Sequence, residues 1–578
     1  MVSAEKLRER ILTATRKMPA DLVLKGGLVV NVFTGGIRVR DVAVKDGFIA
    51  GVGEGYEGLE EVDLRGRWVV PGLMDGHVHI ESSMLLPSRL AGALIPHGTT
   101  AVVSDPHEIA NVLGVEGVRF LLRESEDLPM DVFFTAPACV PATTMETSGA
   151  ELDARVLESL RREPRVVGLA EVMNFPGVCA GDLDLLKKIE SFQDRALDGH
   201  CPGLSSHGLQ AYVAAGIRSE HECSTLEEAL EKVDAGMFVM IREGTLAKNL
   251  EALIPAVTPW NAGRFCFVSD DLAPREILGR GHLDHMIRKA VRFGMEPALA
   301  VRLASLNPAC FYGFRDRGAV AAGFRADVVV LEDLEAFETG RVYKDGRLVF
   351  RKGDTPDFGG LLPNLPRQGP LPTGPLDKAR FKIPDKGGVA RVMELVPGQL
   401  TTTKVLERPR VVNGEVVSDT EHDILKIAVV ERHHATGNTG LGLVRGFGLK
   451  AGALAGSVSH DSHNIIGVGV EDGDLLRAVE EVRDMGGGLT AVLRGEVLAR
   501  VPLKIGGLLS TQSIDDLARE LEDLDRAATS LGCGLKSPFM ALSFLALPVI
   551  PVLKLTDRGL VDVDLFRHVP LFADEKIV

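Results

Sequence analysis

Pro71-Gly72-Leu73-Met74-Asp75-Gly76-His77-Val78-His79-Ile80 is the stretch from which the rest of the chain is read. Apolar and polar residues alternate along it, the period-2 pattern of a strand. That alternation puts His77 and His79 on one face, roughly 7 Å apart along the backbone. Two neutral imidazoles at this spacing can converge on one divalent cation, although two exposed histidines at a strand end would show the same pattern. Immediately upstream, Trp68-Val69-Val70 runs into Pro71-Gly72, a stiff turn that ends one β segment and delivers the chain into the next.

The segments on either side define the architecture. Residues 3–18 read as a short amphipathic helix with Leu7, Ile11, Ala14 and Met18 at helical spacing. Residues 21–34 and 37–53 read as strands, with Asp46-Gly47 marking a hairpin. A matching β pattern returns at 323–331 and 342–349. Between these flanks, short apolar strands near 75–80, 100–106, 131–138, 166–173, 197–201, 217–222, 237–242 and 264–270 alternate with helical segments such as 113–125, 151–162, 183–196, 226–234 and 281–293. Eight such units fit a (β/α)8 barrel. The expected class is α/β: a TIM-like (β/α)8 barrel at 71–313, inserted in a small β-sandwich domain built from 1–70 and 314–352. A Pro-, Gly- and Lys-rich linker at 353–390 would lead to a C-terminal α+β domain at 391–578. That domain is expected to hold strands at 424–431, 464–470 and 489–503 and helices at 474–485 and 514–530.

A barrel of this kind carries its chemistry at the C-terminal strand ends, so metal-type residues should recur there. They do. Glu171 closes an apolar strand and needs a buried partner, of which a cation is one. His200 and His221 arrive at successive strand ends, and the eighth strand delivers Asp270 and Asp271. Imidazoles and carboxylates suit Zn2+, Fe2+ or Mn2+.

Val69-Val70-Pro71-Gly72-Leu73-Met74-Asp75-Gly76-His77-Val78-His79 resembles the first-strand signature of the amidohydrolase superfamily of metal-dependent barrel hydrolases. The resemblance implies a divalent centre, with two ions, held by His77, His79, Glu171, His200, His221 and Asp270. Where many members carry a carbamylated lysine, this chain has Glu171, which then resembles the bridging carboxylate of the members that use glutamate directly. Asp270 would be the acid–base group, with Glu171 also catalytic, and Asp271 an orienting neighbour or a substrate contact. Three further runs, Ile80-Glu81-Ser82-Ser83, Ser104-Asp105-Pro106-His107-Glu108 and Ser459-His460-Asp461-Ser462-His463-Asn464, together with Glu431-Arg432-His433-His434, resemble the bacterial and archaeal adenine deaminases over almost the entire chain. That family implies hydrolysis of a C–N bond in a cyclic amidine, with a metal-activated hydroxide attacking purine C6 of adenine to give hypoxanthine and ammonia. His107 and Glu108 would bind the purine or an accessory cation, or form a loop salt bridge. Glu81 would reach the site or cap a helix, and His460, Asp461, His463 and Asn464 would approach the barrel mouth or hold another metal.

Composition narrows the field. A net charge of −15 argues against nucleic acid or an anionic membrane surface as the main partner. Seven scattered cysteines without a C-x-x-C pair fit a reducing compartment. The charged N-terminus resembles no signal peptide and no uncharged apolar run is long enough to span a bilayer, so a cytoplasmic protein is expected, forming a homodimer or homotetramer. Two other readings compete. An N-acetylglucosamine-6-phosphate deacetylase would need a basic anchor, for which Arg218 and Arg242 are the strand-end candidates. A non-catalytic scaffold would be expected to lack some of the six ligands.

Overall fold

The computed structural model describes residues 3–358, 365–366 and 369–573; residues 359–364 and 367–368 of the expected linker lie outside the described residues. Its central feature is eight parallel strands: β1 (Leu73–Val78), β2 (Thr99–Ser104), β3 (Asp131–Ala136), β4 (Val166–Val172), β5 (Ala196–Gly199), β6 (Ser219–Glu220), β7 (Phe238–Arg242) and β8 (Phe265–Val268). β1 to β5 pair in sequence order and β6 to β8 form a second arc. The arcs meet at two seams. Arg218 donates its backbone N–H to Leu197 O at 3.1 Å between β5 and β6, and Asp270 donates to His77 O at 3.1 Å between the end of β8 and β1. Near-continuous apolar runs such as Phe-Val-Met-Ile in β7 suit strands covered on both faces.

Alternation decides which side chains face inward. Met74, Ala101 and Val103 point into the barrel and pack with Ala309 and Tyr312, while Val102 and Phe134 pack outward against the helices. The helix Leu306–Phe311 brings Tyr312 under the barrel, where its hydroxyl donates to Gly76 O at 2.8 Å. Apolar side chains therefore fill one end, and the polar strand ends are gathered at the other.

The two flanks share one eight-stranded sheet, joined where Trp68–Pro71 pairs antiparallel with Val328–Leu331. Val29, Val44, Ile49, Val328 and Tyr343, from both flanks, form one apolar cluster. The Asp46-Gly47 hairpin is present, with both residues at positive φ as a tight primed turn requires. The leading helix is shorter than the apolar spacing predicts, spanning Ala4–Ala14.

The C-terminal part is built on a second eight-stranded sheet covered by helices that include Asp472–Asp484 and Ile514–Ser530. The single strand expected at 489–503 is a hairpin, Gly488–Leu493 and Glu496–Pro502. Arg494 and Gly495 both take positive φ at its tip, a turn that arginine does not signal. Strands at Ala390–Leu395, Thr402–Glu407, Thr439–Arg445 and Ala453–Gly456 escape the sequence reading because they are short and mixed in composition. Leu371 and Phe381, within the segment expected to be a linker, are buried against Ala428, Val430, Ile465 and Val479. Phe381→Ala should cost about 3–5 kcal/mol. Urea unfolding followed by circular dichroism checks this, and an unchanged midpoint would mean that the segment is not anchored through this ring.

Candidate active site

Five strand ends deliver the six expected ligands. His77 and His79 lie at the end of β1, Glu171 is the penultimate residue of β4, His200 and His221 follow β5 and β6, and Asp270 lies two residues beyond β8. None is more than 4% exposed. Asp270 takes φ 56°, and its backbone both donates to His77 O and accepts from His79 N–H, which locks the two strand ends together.

Glu171 is the centre of the arrangement. Its Oε1 lies 3.3 Å from His79 Nε2 and 3.9 Å from His77 Nε2, and its Oε2 lies 2.7 Å from His200 Nδ1 and 3.3 Å from His221 Nε2. Asp270 Oδ1 is 3.3 Å from His79 Nε2 and 3.6 Å from His77 Nε2. The far nitrogens of the first histidine pair are occupied: His77 Nδ1 meets Asp198 Oδ2 at 2.7 Å and His79 Nδ1 meets Asp105 O at 3.2 Å. These partners fix the proton on Nδ1 of each ring, so both Nε2 lone pairs face inward, 3.2 Å apart. Two lone pairs at that separation repel unless a cation lies between them. In the second pair the nitrogens that face Glu171 Oε2 are His200 Nδ1 and His221 Nε2. The donor set therefore fits divalent metal, grouped as His77, His79 and Asp270 on one side of Glu171 and His200 and His221 on the other.

Asp270 Oδ2 accepts from Arg242 Nη1 at 2.9 Å, and Arg242 is also bound by Glu222, with Nη2 donating at 2.6 Å. Burial alone would raise the Asp270 carboxyl, but the Arg242 guanidinium beside it outweighs this and holds the group well below the usual carboxylate range. It is an ionised base. Arg242 is thus committed to two carboxylates, and Arg218 is exposed at the opposite end of β6 with its guanidinium on Val213 O. Neither arginine is placed to anchor a sugar phosphate.

The pocket above Glu171 is closed by the C-terminal domain. Leu400, His460, Asp461, Phe544, Leu547 and Ile550 contribute to its wall, together with Met173 from the barrel. The His460 and Phe544 rings stack, with centroids 4.3 Å apart and planes at 17°.

The remaining candidates divide. His107, Glu108, Asp271, His460 and Asp461 line the pocket. His107 is held between Asp105 Oδ2 at 3.1 Å from Nδ1 and Asp461 Oδ1 at 3.4 Å from Nε2. Asp271 accepts from the Ser82 hydroxyl. Glu108 lies 3.5 Å from His460 Nδ1 and 3.7 Å from His463 Nε2, and burial, with Glu81 adding to it, pushes its carboxyl well above the usual range. Glu81 accepts the Ile109 backbone N–H at 3.0 Å, in the first turn of the helix His107–Leu113. His463 Nδ1 accepts the Ser459 backbone N–H, which leaves the proton of a neutral ring on Nε2, facing Glu108 as a donor. Asn464 donates to Thr147 O at 2.8 Å, tying the C-terminal domain to a barrel loop.

Sequence reasoning missed the partners of the ligands, namely Asp105, Asp198, Glu222 and the orienting role of Arg242. Their signal was position: each lies within two residues of a ligand or at a strand end. The apolar wall at Leu400 and 544–550 carried no such signal.

The amidohydrolase family model matches residues 68–349, and that of the adenine deaminase C-terminal domain matches residues 399–567. An adenine deaminase of Desulfatibacillum aliphaticivorans is 49% identical over 98% of this chain and 99% of its own length. One of Methanothrix thermoacetophila is 48% identical, covering 98% of this chain and 100% of its own.

Proposed function

We propose, from the premise that this chain belongs to the adenine deaminase family of the amidohydrolases, that the six strand-end residues carry out the hydrolytic deamination of adenine to hypoxanthine and ammonia. The observation that carries the residue assignment is Glu171, one carboxylate divided between two imidazole pairs beneath a pocket lined by Met173, Leu400, Phe544, Leu547 and Ile550. The family is metal-dependent. We assign two ions, Mn2+ or Fe2+ with Zn2+ as a further fit, to His77, His79 and Asp270 on one side and His200 and His221 on the other, with Glu171 between them. When bound, such ions lower the pKa of a water towards neutrality and supply the nucleophile.

The protein's own groups do the rest. Asp270, ionised and aligned by Arg242, accepts a proton from the attacking water and passes it to the departing amino group. The C6–O bond forms, the C6–N bond breaks, and ammonia leaves. Of the two water hydrogens, one ends on ammonia and the other on the ring nitrogen of hypoxanthine. Phe544, Leu547, Ile550 and Leu400 exclude bulk water from this exchange.

Ammonia release from a panel of aminopurines and aminopyrimidines, with Mn2+, Fe2+ or Zn2+ supplied during expression, tests the reading. Adenine is expected to be by far the best substrate. Chelation should abolish turnover, and restoring about two equivalents of metal should recover it. Metal-replete protein that releases no ammonia from adenine would overturn the assignment.

A further inference from the structure

Asp461 is engaged on one side only. Its Oδ1 lies 3.4 Å from His107 Nε2, while Oδ2 has no hydrogen-bond partner among the described residues in a side chain that is 1% exposed. His107 is itself fixed from the barrel side, through Asp105 Oδ2 on its ring and Asp105 Oδ1 on its backbone N–H, both at 3.1 Å. Asp461 is therefore held in one orientation by a rigid neighbour. It lines the same pocket as Glu171 and Asp270, beside a wall that is apolar at Leu400, Phe544, Leu547 and Ile550. Buried polar oxygens are rarely left without a donor, and on a residue that lines a binding pocket the ligand is one source of that donor.

We infer that Asp461, supplied by the C-terminal domain, accepts the N–H of the purine's five-membered ring and so selects the free base over N-substituted purines. This rests on the pocket being an adenine site. A free purine carries one such hydrogen, and methylation or glycosylation of that nitrogen removes it. The substituted ligand then leaves the carboxylate without its donor and adds bulk against the wall, so discrimination is steep. The charge supports the role: burial would raise the Asp461 carboxyl, but His107 outweighs it and holds the group ionised, the form that only accepts.

Asp461→Asn is the decisive variant. Its amide oxygen must face His107 N–H, which leaves the NH2 at the position of Oδ2 and opposes a donor to the purine's donor. At unchanged metal content, KM for adenine is expected to rise about 100-fold with a smaller change in kcat. Inhibition by 7-methyladenine and 9-methyladenine provides the second readout. Each derivative lacks the five-membered-ring N–H, so in the native enzyme both should bind about 100-fold more weakly than adenine, and in Asp461→Asn that gap should shrink to about threefold. The gap is a ratio within one preparation, so partial misfolding cancels. Native discrimination retained in Asp461→Asn, or a loss of kcat with KM and the gap intact, would overturn the inference. Failure of the adenine reading would show separately, as native enzyme that releases no ammonia from adenine.

Discussion

Asp270→Asn is expected to keep its metal and to lose turnover by about 10³-fold. The substitution preserves shape, and Arg242 keeps Glu222 as its second carboxylate partner, so the guanidinium is not left buried and unpaired. Arg242 Nη1 also dictates how the new amide sits: its oxygen must take the place of Oδ2, 2.9 Å from that donor. The NH2 then points towards His77 and His79, where the native Oδ1 lies 3.6 Å and 3.3 Å from their Nε2 atoms. Metal there would keep two imidazoles and Glu171, enough to hold it, but the water beside it would lose the carboxylate proposed to take its proton. Metal analysis and steady-state ammonia release on one preparation separate the two effects. Turnover within tenfold of native would remove Asp270 from the acid–base role. Loss of metal in proportion to activity would make it a ligand and nothing more.

The contrast between what was legible and what was not follows from the range of the signals. His77 and His79 were readable because strand alternation is a property of adjacent residues. Glu171, His200, His221 and Asp270 were readable because a parallel barrel repeats a strand end at each unit, so one recognised end predicts the positions of the others. Phe544, Leu547, Ile550 and Leu400 had no comparable rule. They are ordinary apolar residues of another domain, and only the packing of that domain on the barrel mouth turns them into a pocket wall. The His460–Asn464 run stands out in the sequence for its polar and ionisable side chains, but its members divide in space. Asp461 and His460 face the pocket, His463 turns towards Glu108 with Nδ1 filled by a backbone donor, and Asn464 reaches a barrel loop. Composition marks such a run as unusual, and geometry assigns each side chain.

Glu171→Gln should do what Asp270→Asn does not, and remove the metal. Among the six strand-end side chains, this carboxylate alone touches both histidine pairs, Oε1 with His77 and His79 and Oε2 with His200 and His221. An amide has one accepting oxygen and one donating NH2. Whichever way it turns, a donor would face one of the two proposed cation positions, and the negative charge that would offset the ions in a buried site is gone. Bound metal is expected to fall from about two equivalents to one or fewer, and turnover to fall by at least about 10⁴-fold, because the ions and the proton acceptor act as a unit. Thermal unfolding supplies a check independent of activity. Native protein should gain stability when Mn2+ is added, by about 2.7 kcal/mol at a hundred times the dissociation constant, whereas Glu171→Gln should gain little. If Glu171→Gln still binds two equivalents and turns over normally, the carboxylate that joins the two histidine pairs is not what holds the ions.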